Sequence, residues 1–195
     1  VNSNSPYRLV RSSATAAEFH ARAIPEMPSC EIWRHDLTSP ALVLGSSQSE
    51  SLVDHDACQE LDVAIVRRRS GGGAVLLVPG QVTWIDVIVP SGSAGWSDDV
   101  HGPMIWLGRA IADLVEEQLD ASIAVTVHEG ALRSTPWSSM ICFDGVGAGE
   151  VLLDGRKLVG ISQRRTRGAA RLQCCCCSHY EPTRLVELLD VQHRP

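Results

Sequence analysis

Between Glu150 and Ser162 the chain reads Glu-Val-Leu-Leu-Asp-Gly-Arg-Lys-Leu-Val-Gly-Ile-Ser, with Asp154-Gly155 set between two apolar arms. A two-residue Asp-Gly connection commits such a segment to a tight antiparallel hairpin. The turn also sets the register, so that Leu153 faces Arg156 and Leu152 faces Lys157. Strict alternation then predicts Lys157 on one face with Leu152, Val159 and Ile161, diagonal to Glu150. An ammonium is thereby aimed at a largely apolar face, where partial desolvation strengthens its pull on a carboxylate, phosphate or carbonyl. A lysine that snorkels from the turn end into water accounts for the same residues without a ligand.

A second segment, Arg67-Arg68-Arg69-Ser70-Gly71-Gly72-Gly73-Ala74-Val75, follows an apolar run. Consecutive glycines leave backbone N–H groups uncovered by side chains, so a phosphate or carboxylate can approach them, and the arginines supply the opposite charge. The same glycines suit a strand bulge or tight turn with no ligand. Neither a Gly-Lys-Ser/Thr phosphate loop nor a G-x-G-x-x-G dinucleotide pattern is present.

Elsewhere, residue patterning predicts a helix over 14–23, strands over 31–34 and Ala41–Leu44, a helix over 49–61 and a strand over Ala64–Arg67. Residues 81–89 read as a strand with Trp84 in or near the core, and 90–95 as a connector. Pro103 opens the clearest helix, with Met104, Leu107, Ile111, Leu114 and Val115 as its core stripe. A strand over 122–127, an irregular stretch to Cys142, the hairpin and a last helix over 182–189 complete the order. Asp86 either lines a pocket or ends a strand in solvent, and Arg133 reads as surface. His128 and His179 belong to no triad or His-x-x-x-His pair and read as structural.

With 195 residues, 44% of them hydrophobic, residues 1–195 suffice for one domain with a full core. A formal net charge of −6 argues against a general nucleic-acid binder. Arg164, Arg165, Arg167 and Arg171 supply a local basic patch, readable as a docking surface or as a solvated loop. No apolar stretch has membrane-spanning length and the N-terminus lacks a signal-like core, so the chain reads as cytoplasmic. Seven cysteines leave one unpaired in any intramolecular disulfide scheme, which agrees with a reduced compartment. Four of them, Cys174 to Cys177, are consecutive. In a strand they point alternately to opposite faces and cannot wrap a tetrahedral zinc, so they read as a buried strand with no metal site.

The glycine loop resembles the R-R-x-S-G-G-G-A-V loop of the lipoate-protein ligase, octanoyltransferase and biotin-ligase superfamily, and within it the lipoate-protein ligase A branch. Gly155-Arg156-Lys157-Leu158-Val159-Gly160 is similar to that family's G-R-K-[IV]-x-G segment, and Val43-Leu44-Gly45-Ser46-Ser47-Gln48 to its apolar-Gly-x-x-Gln turn. The resemblance implies an α+β fold with a mixed, largely antiparallel sheet flanked by helices, and an acyl chain held in a tunnel. It implies a catalytic Lys157 and a substrate-binding set of Arg68, Ser70, Gly71, Gly72, Gly73, Ala74, Val75 and Gly160. A fixed ammonium or N–H cluster stabilises the negative charge that an acyl carbonyl develops under attack.

Ligases in the family form an acyl-adenylate and need ATP and magnesium. One octanoyltransferase branch uses a cysteine and an acyl thioester, with no cofactor. Cys142-Phe143-Asp144 resembles the C-F-[DE] segment of that branch, which implies Cys142 as nucleophile, and Gly149-Glu150 stands where ligases usually show Asn-Asp. Two further departures weigh against adenylate chemistry or against turnover: Leu77-Val78-Pro79-Gly80-Gln81 replaces the usual His-Asp-x-Gly-Asn, and the cysteine run replaces His-Gly-Thr-Leu-Leu. The expected activity is transfer of a lipoyl or octanoyl group to a lysine of a 2-oxoacid dehydrogenase lipoyl domain or of a glycine-cleavage H protein, with lipoate or octanoate as substrate and acyl carrier protein as a further partner. The alternative is a binding module or accessory subunit that keeps the pocket without turnover. Biotin-ligase chemistry shares the fold, but the glycine loop fits the lipoate branch better.

Overall fold

The computed structural model describes residues 6–194. Its strands, in chain order, are β1 (Arg8–Ala14), β2 (Glu31–Leu37), β3 (Ala41–Leu44), β4 (Ala64–Arg67), β5 (Val75–Leu77), β6 (Val82–Pro90), β7 (Val125–Val127), β8 (Val151–Leu153), β9 (Arg156–Arg165) and β10 (Ala169–Cys177). The α-helices are α1 (Ala16–Ala21), α2 (His55–Glu60), α3 (Gly102–Glu116) and α4 (Pro182–Glu187). A seven-stranded sheet has the order β1-β2-β6-β10-β9-β8-β7, and a three-stranded sheet the order β4-β3-β5. Only the β1–β2 and β3–β4 pairs are parallel, so the expected mixed, largely antiparallel α+β architecture is present.

Alternation along the strands divides the large sheet into two faces with different duties. Val87, Val89, Val151, Val159, Ile161, Leu172 and Cys174 form one apolar cluster with Leu107 and Ala112 of α3. The other face meets the small sheet and α1, where Trp84 packs with Phe19, Ala41, Val43, Val66, Val75 and Leu77. Leu42 and Leu44 on the far side of the small sheet pack with Leu52, Cys58, Leu185, Leu188 and Leu189 from the segments around α2 and α4. Lys157, Cys142 and the three loop glycines border the gap between the sheets.

α3 is buried along Pro103, Leu107, Gly108 and Ala112. Leu114, expected in its core stripe, is 63% exposed because small residues take the contact instead. A Cβ on Gly108 would come within 2.0 Å of the Gly149 carbonyl oxygen, so glycine there lets the helix sit directly on the chain that enters β8. The helix thereby fixes the backbone one residue before Glu150.

The hairpin forms as its turn residues require, with Asp154 and Gly155 both at positive φ, +47° and +76°, and Leu152 opposite Lys157. The expected grouping of Lys157 with Val159 and Ile161 is incorrect. Val151 pairs with Val159 and Leu152 with Lys157, so Leu158 is an extra residue on β9, a bulge that inverts the alternation. Val159 and Ile161 face α3, while Lys157 faces the gap between the sheets.

Other boundaries moved for local reasons. The helix expected over 14–23 is α1, capped by the reciprocal Thr15–Glu18 box, and β1 precedes it unannounced by any alternation of apolar residues. The 49–61 helix divides into a 3₁₀ turn at Glu50–Leu52 and α2, because Asp54 caps a new start by accepting from the Ala57 N–H. β5 emerges from the end of the glycine loop, and the cysteine run forms the end of β10.

Candidate active site

Lys157 is drawn inward by three oxygens. Its Nζ donates to the Cys142 carbonyl at 2.8 Å and to the Gly145 carbonyl at 3.1 Å, and pairs with Glu150 Oε1 at 2.7 Å. The side chain is 4% exposed and the Phe143 ring lies 5.2 Å away, so the ammonium is desolvated yet fully coordinated. It does not snorkel to water but reaches a buried carboxylate and two carbonyls, the other course the sequence allowed. Glu150 is equally engaged: Oε2 accepts from the Gly147 N–H at 2.7 Å and Oε1 from the Ile161 N–H at 3.3 Å. Gly160 explains how both fit, since a Cβ there would lie 3.3 Å from Lys157 Cε and 3.7 Å from Glu150 Oε1. The glycine leaves the lane along which the lysine stem runs.

Cys142 opens a 3₁₀ turn, Cys142–Asp144, pinned on both sides. Toward the small sheet, Ala74 bridges in parallel to Ile141, and backbone bonds run from Ala74 N to Met140 O and from Cys142 N to Ala74 O. Gly73 permits this contact, because a Cβ on it would stand 2.5 Å from the Ile141 carbonyl carbon. Gln48 holds the preceding residues, donating to the Ser139 and Met140 carbonyls while accepting from Gly45 N. Arg68 folds over the loop onto the Gly71 and Gly73 carbonyls, with its Nη2 4.0 Å from Cys142 Sγ. Around the turn, Asp144 accepts from Thr135 Oγ1, and Trp137 and Ser138 N–H groups bond the same hydroxyl.

These groups border a cavity of about 480 Å³ between the sheets. Of the residues expected at the site, Arg68, Gly71, Gly72, Gly73, Val75, Cys142, Lys157 and Gly160 line it. Ser70 and Ala74 stand behind the wall: Ser70 Oγ bonds Ser162 Oγ at 3.1 Å, and Ala74 is fully buried against the small-sheet core. The inner wall brings in Trp84, Gln173 and His20, none of which carries a sequence signal for this role. His20 stacks on Trp84 with ring centroids 4.7 Å apart and meets Gln173 Nε2 at 3.4 Å. Burial lowers its pKa to about 4, so the imidazole is neutral at neutral pH.

Asp86, expected in the pocket wall or in solvent, is in neither place. It is fully buried, bonded to His35 Nε2 at 2.9 Å, to Trp84 Nε1 at 2.9 Å and to Arg171 Nε at 2.7 Å. Burial alone would raise its pKa, but the His35 hydrogen bond and the Arg171 charge outweigh that and hold it low. Arg171 leaves the expected basic patch to make this pair and to donate to the Phe19 and Arg22 carbonyls. The pair ties α1 to the large sheet behind the inner wall. His128 and His179 are held outside the cavity, by the Ala131 carbonyl and by Glu181.

The donor set does not suit magnesium. A magnesium site on a nucleotide usually rests on one or two carboxylates with free oxygens. Glu150, the carboxylate that lines the cavity, already spends both oxygens on Lys157 and backbone N–H groups. Among the described residues no three His, Cys, Asp or Glu groups are placed to hold a metal ion.

Comparison with known proteins agrees with this geometry. The chain matches the lipoyl protein ligase A/B catalytic domain over residues 16–194. It is 34% identical over 131 residues to the octanoyltransferase LipM of Kyrpidia tusciae, covering 66% of this chain and 47% of that protein. A second octanoyltransferase LipM, from an Exiguobacterium species, is 28% identical over 120 residues, with 60% and 42% covered. The chain thus spans about half the length of the curated relatives it matches. Among solved structures, the Thermoplasma acidophilum protein Ta0514 with bound lipoic acid superposes with a TM-score of 0.65 at 16% identity, covering 97% of this chain and 74% of that one. An ATP-bound lipoate-protein ligase A gives 0.64 at 19% identity, with 95% and 71% covered. At such identities the structures speak for the fold, and the match over residues 16–194 for the family: the chain belongs to the lipoyl protein ligase A/B catalytic-domain family.

Proposed function

We propose that residues 1–195 form one catalytic unit that takes an octanoyl or lipoyl group from a thioester onto Cys142 and passes it to a lysine of a lipoyl domain. The carrying observation is the Lys157 ammonium bound to the Cys142 carbonyl, with the Cys142 thiol beside Arg68 at the wall of an apolar-lined cavity. In the first step the Cys142 thiolate attacks the donor carbonyl, the carrier's C–S bond breaks, and the carrier sulfur leaves with a proton. In the second, the acceptor's ε-amine attacks the Cys142 thioester, an amide forms, and the sulfur regains a proton. Lys157 acts chiefly as a positioning residue: with every N–H spent, it fixes the peptide that carries the nucleophile and adds positive potential in a water-poor site. The glycine loop supplies a wall that the acyl carbonyl can approach closely.

The engaged Glu150 and the absent His-Asp-x-Gly-Asn favour a thioester over ATP and free acid as donor. The similar proteins named octanoyltransferase point the same way. A lipoyl domain as acceptor draws support from the structural neighbour described as a bipartite lipoate protein ligase with its E2 lipoyl domain, from Thermoplasma acidophilum. Acyl carrier protein as donor, glycine-cleavage H protein as a second acceptor and a cytoplasmic site of action belong to the same proposal. Among the described residues no helix is long and apolar enough to cross a membrane. The test incubates the protein and a lipoyl domain with octanoyl-carrier protein, or with lipoate, ATP and magnesium, and weighs the acceptor. Octanoyl transfer from the thioester that disappears in Cys142→Ala is the expected result. Modification with ATP alone, unaffected by Cys142→Ala, would overturn the cysteine route. Binding without turnover from either donor would make the chain a binding module.

A further inference from the structure

The acyl-transfer chemistry leaves the cysteine run unused, yet β10 divides it with consequence. Cys174 and Cys176 face the cluster beneath α3, and burial raises both thiols. Cys175 lines the cavity opposite Gly160, and Cys177, two residues along the same face, has its sulfur 4.0 Å from that of Cys175. Residues two apart on a strand have Cα atoms about 6.6 Å apart. That span lies at the upper end of what a disulfide bridges, and the two parallel Cβ vectors must lean together to close it, so the bond is strained and readily reduced.

The pair is also electrically unequal. The contact with Cys175 and the Lys157 charge lower the Cys177 pKa, while that same contact and burial raise that of Cys175. Of the two adjoining sulfurs, Cys177 is the one whose ionisation the nearby Lys157 charge favours. Both are only partly buried. A polarised thiolate next to a protonated thiol is the pairing that oxidant-sensing cysteines use.

We propose that Cys175 and Cys177 form a reversible thiol-oxidation site for hydroperoxides, separate from the Cys142 nucleophile. The Cys177 thiolate attacks the peroxide, whose O–O bond breaks; Cys177 becomes a sulfenic acid, and the departing alkoxide or hydroxide takes up a proton. The Cys175 sulfur then attacks Cys177, the S–O bond breaks, and water leaves with the Cys175 proton. Two thiols are oxidised to one disulfide as the hydroperoxide is reduced to an alcohol or water.

The reduced full chain is treated with low equivalents of hydrogen peroxide, blocked with an alkylating agent and digested with trypsin. Cleavage after Arg171 and Arg184 releases all four consecutive cysteines in one peptide. The expected product is that peptide lighter by two hydrogens, with two alkyl groups fewer, fragment ions placing the bridge at Cys175 and Cys177, and full reversal by a dithiol reductant. Cys142→Ser and Cys176→Ser should both keep it, and Cys177→Ser should abolish it. Prior unfolding in urea should scatter the pairing. A bridge through Cys142, a bridge that survives Cys177→Ser, equal pairing in urea, or no bridge would each overturn the proposal. Because the readout is mass, it stands or falls independently of acyl transfer.

Discussion

At the scale of residues, the site is a chain of mutually dependent charges, and each link has a measurable value. Lys157→Met removes the ammonium and leaves Glu150 buried without its ion-pair partner, so it should lower acyl transfer by a factor on the order of 100 or more. It should also cost about 3 kcal/mol in urea unfolding. Glu150→Gln added to Lys157→Met should recover part of that stability but none of the activity, a non-additivity that a double-mutant cycle reads directly. Gly73→Ala sets a methyl against the Ile141–Cys142 peptide. It should cost about 1–3 kcal/mol and displace the nucleophile, with a larger effect on the rate of Cys142 acylation than on overall circular dichroism. Lys157 and Cys142 were singled out through the family resemblance, and both line the cavity. Their mutual contact was not legible, because the bond from Nζ to the Cys142 carbonyl crosses from one sheet to the other.

At the scale of elements, the hairpin was legible because Asp154-Gly155 states its own geometry; the cysteine run is a strand as expected, but only Cys174 of the four is buried, because the end of β10 borders the open cavity. Other features were hidden for physical reasons. The bulge at Leu158 has no marker, since leucine suits any strand position, and it alone inverted the predicted face of Lys157. β1 pairs in parallel at the sheet edge and is mostly exposed, so it lacks the alternation that announces a half-buried strand. Deleting Leu158 should restore unbroken alternation and turn Lys157 toward α3. Activity should vanish, and a reporter at Phe143, which now packs near the ammonium, should change environment.

At the scale of the whole molecule, stability should follow pH through His20. Its folded pKa of about 4 lies below the ordinary 6.5, so between those values the unfolded chain binds the proton more readily than the native one. The contribution is complete above pH 6.5 and is lost as pH falls toward 4, at most about 3 kcal/mol. Urea midpoints at pH 7.5 and 5 should differ accordingly, and His20→Phe should flatten that part of the slope. Asp86, held low by His35 and Arg171, adds a loss that begins as pH falls into the ordinary carboxylate range and continues below it. The two sheets bear on function in another way. Cys142 is fastened to the small sheet through Ala74, whereas Lys157 is carried by β9 of the large one. The hydrogen bond between them is a stitch across a seam, and a slight parting of the sheets severs it while each sheet keeps its own ladder. Mild denaturant should therefore silence the proposed acyl transfer before it erases the far-ultraviolet signal of the strands: the site would fail as a joint before the chain fails as a fold.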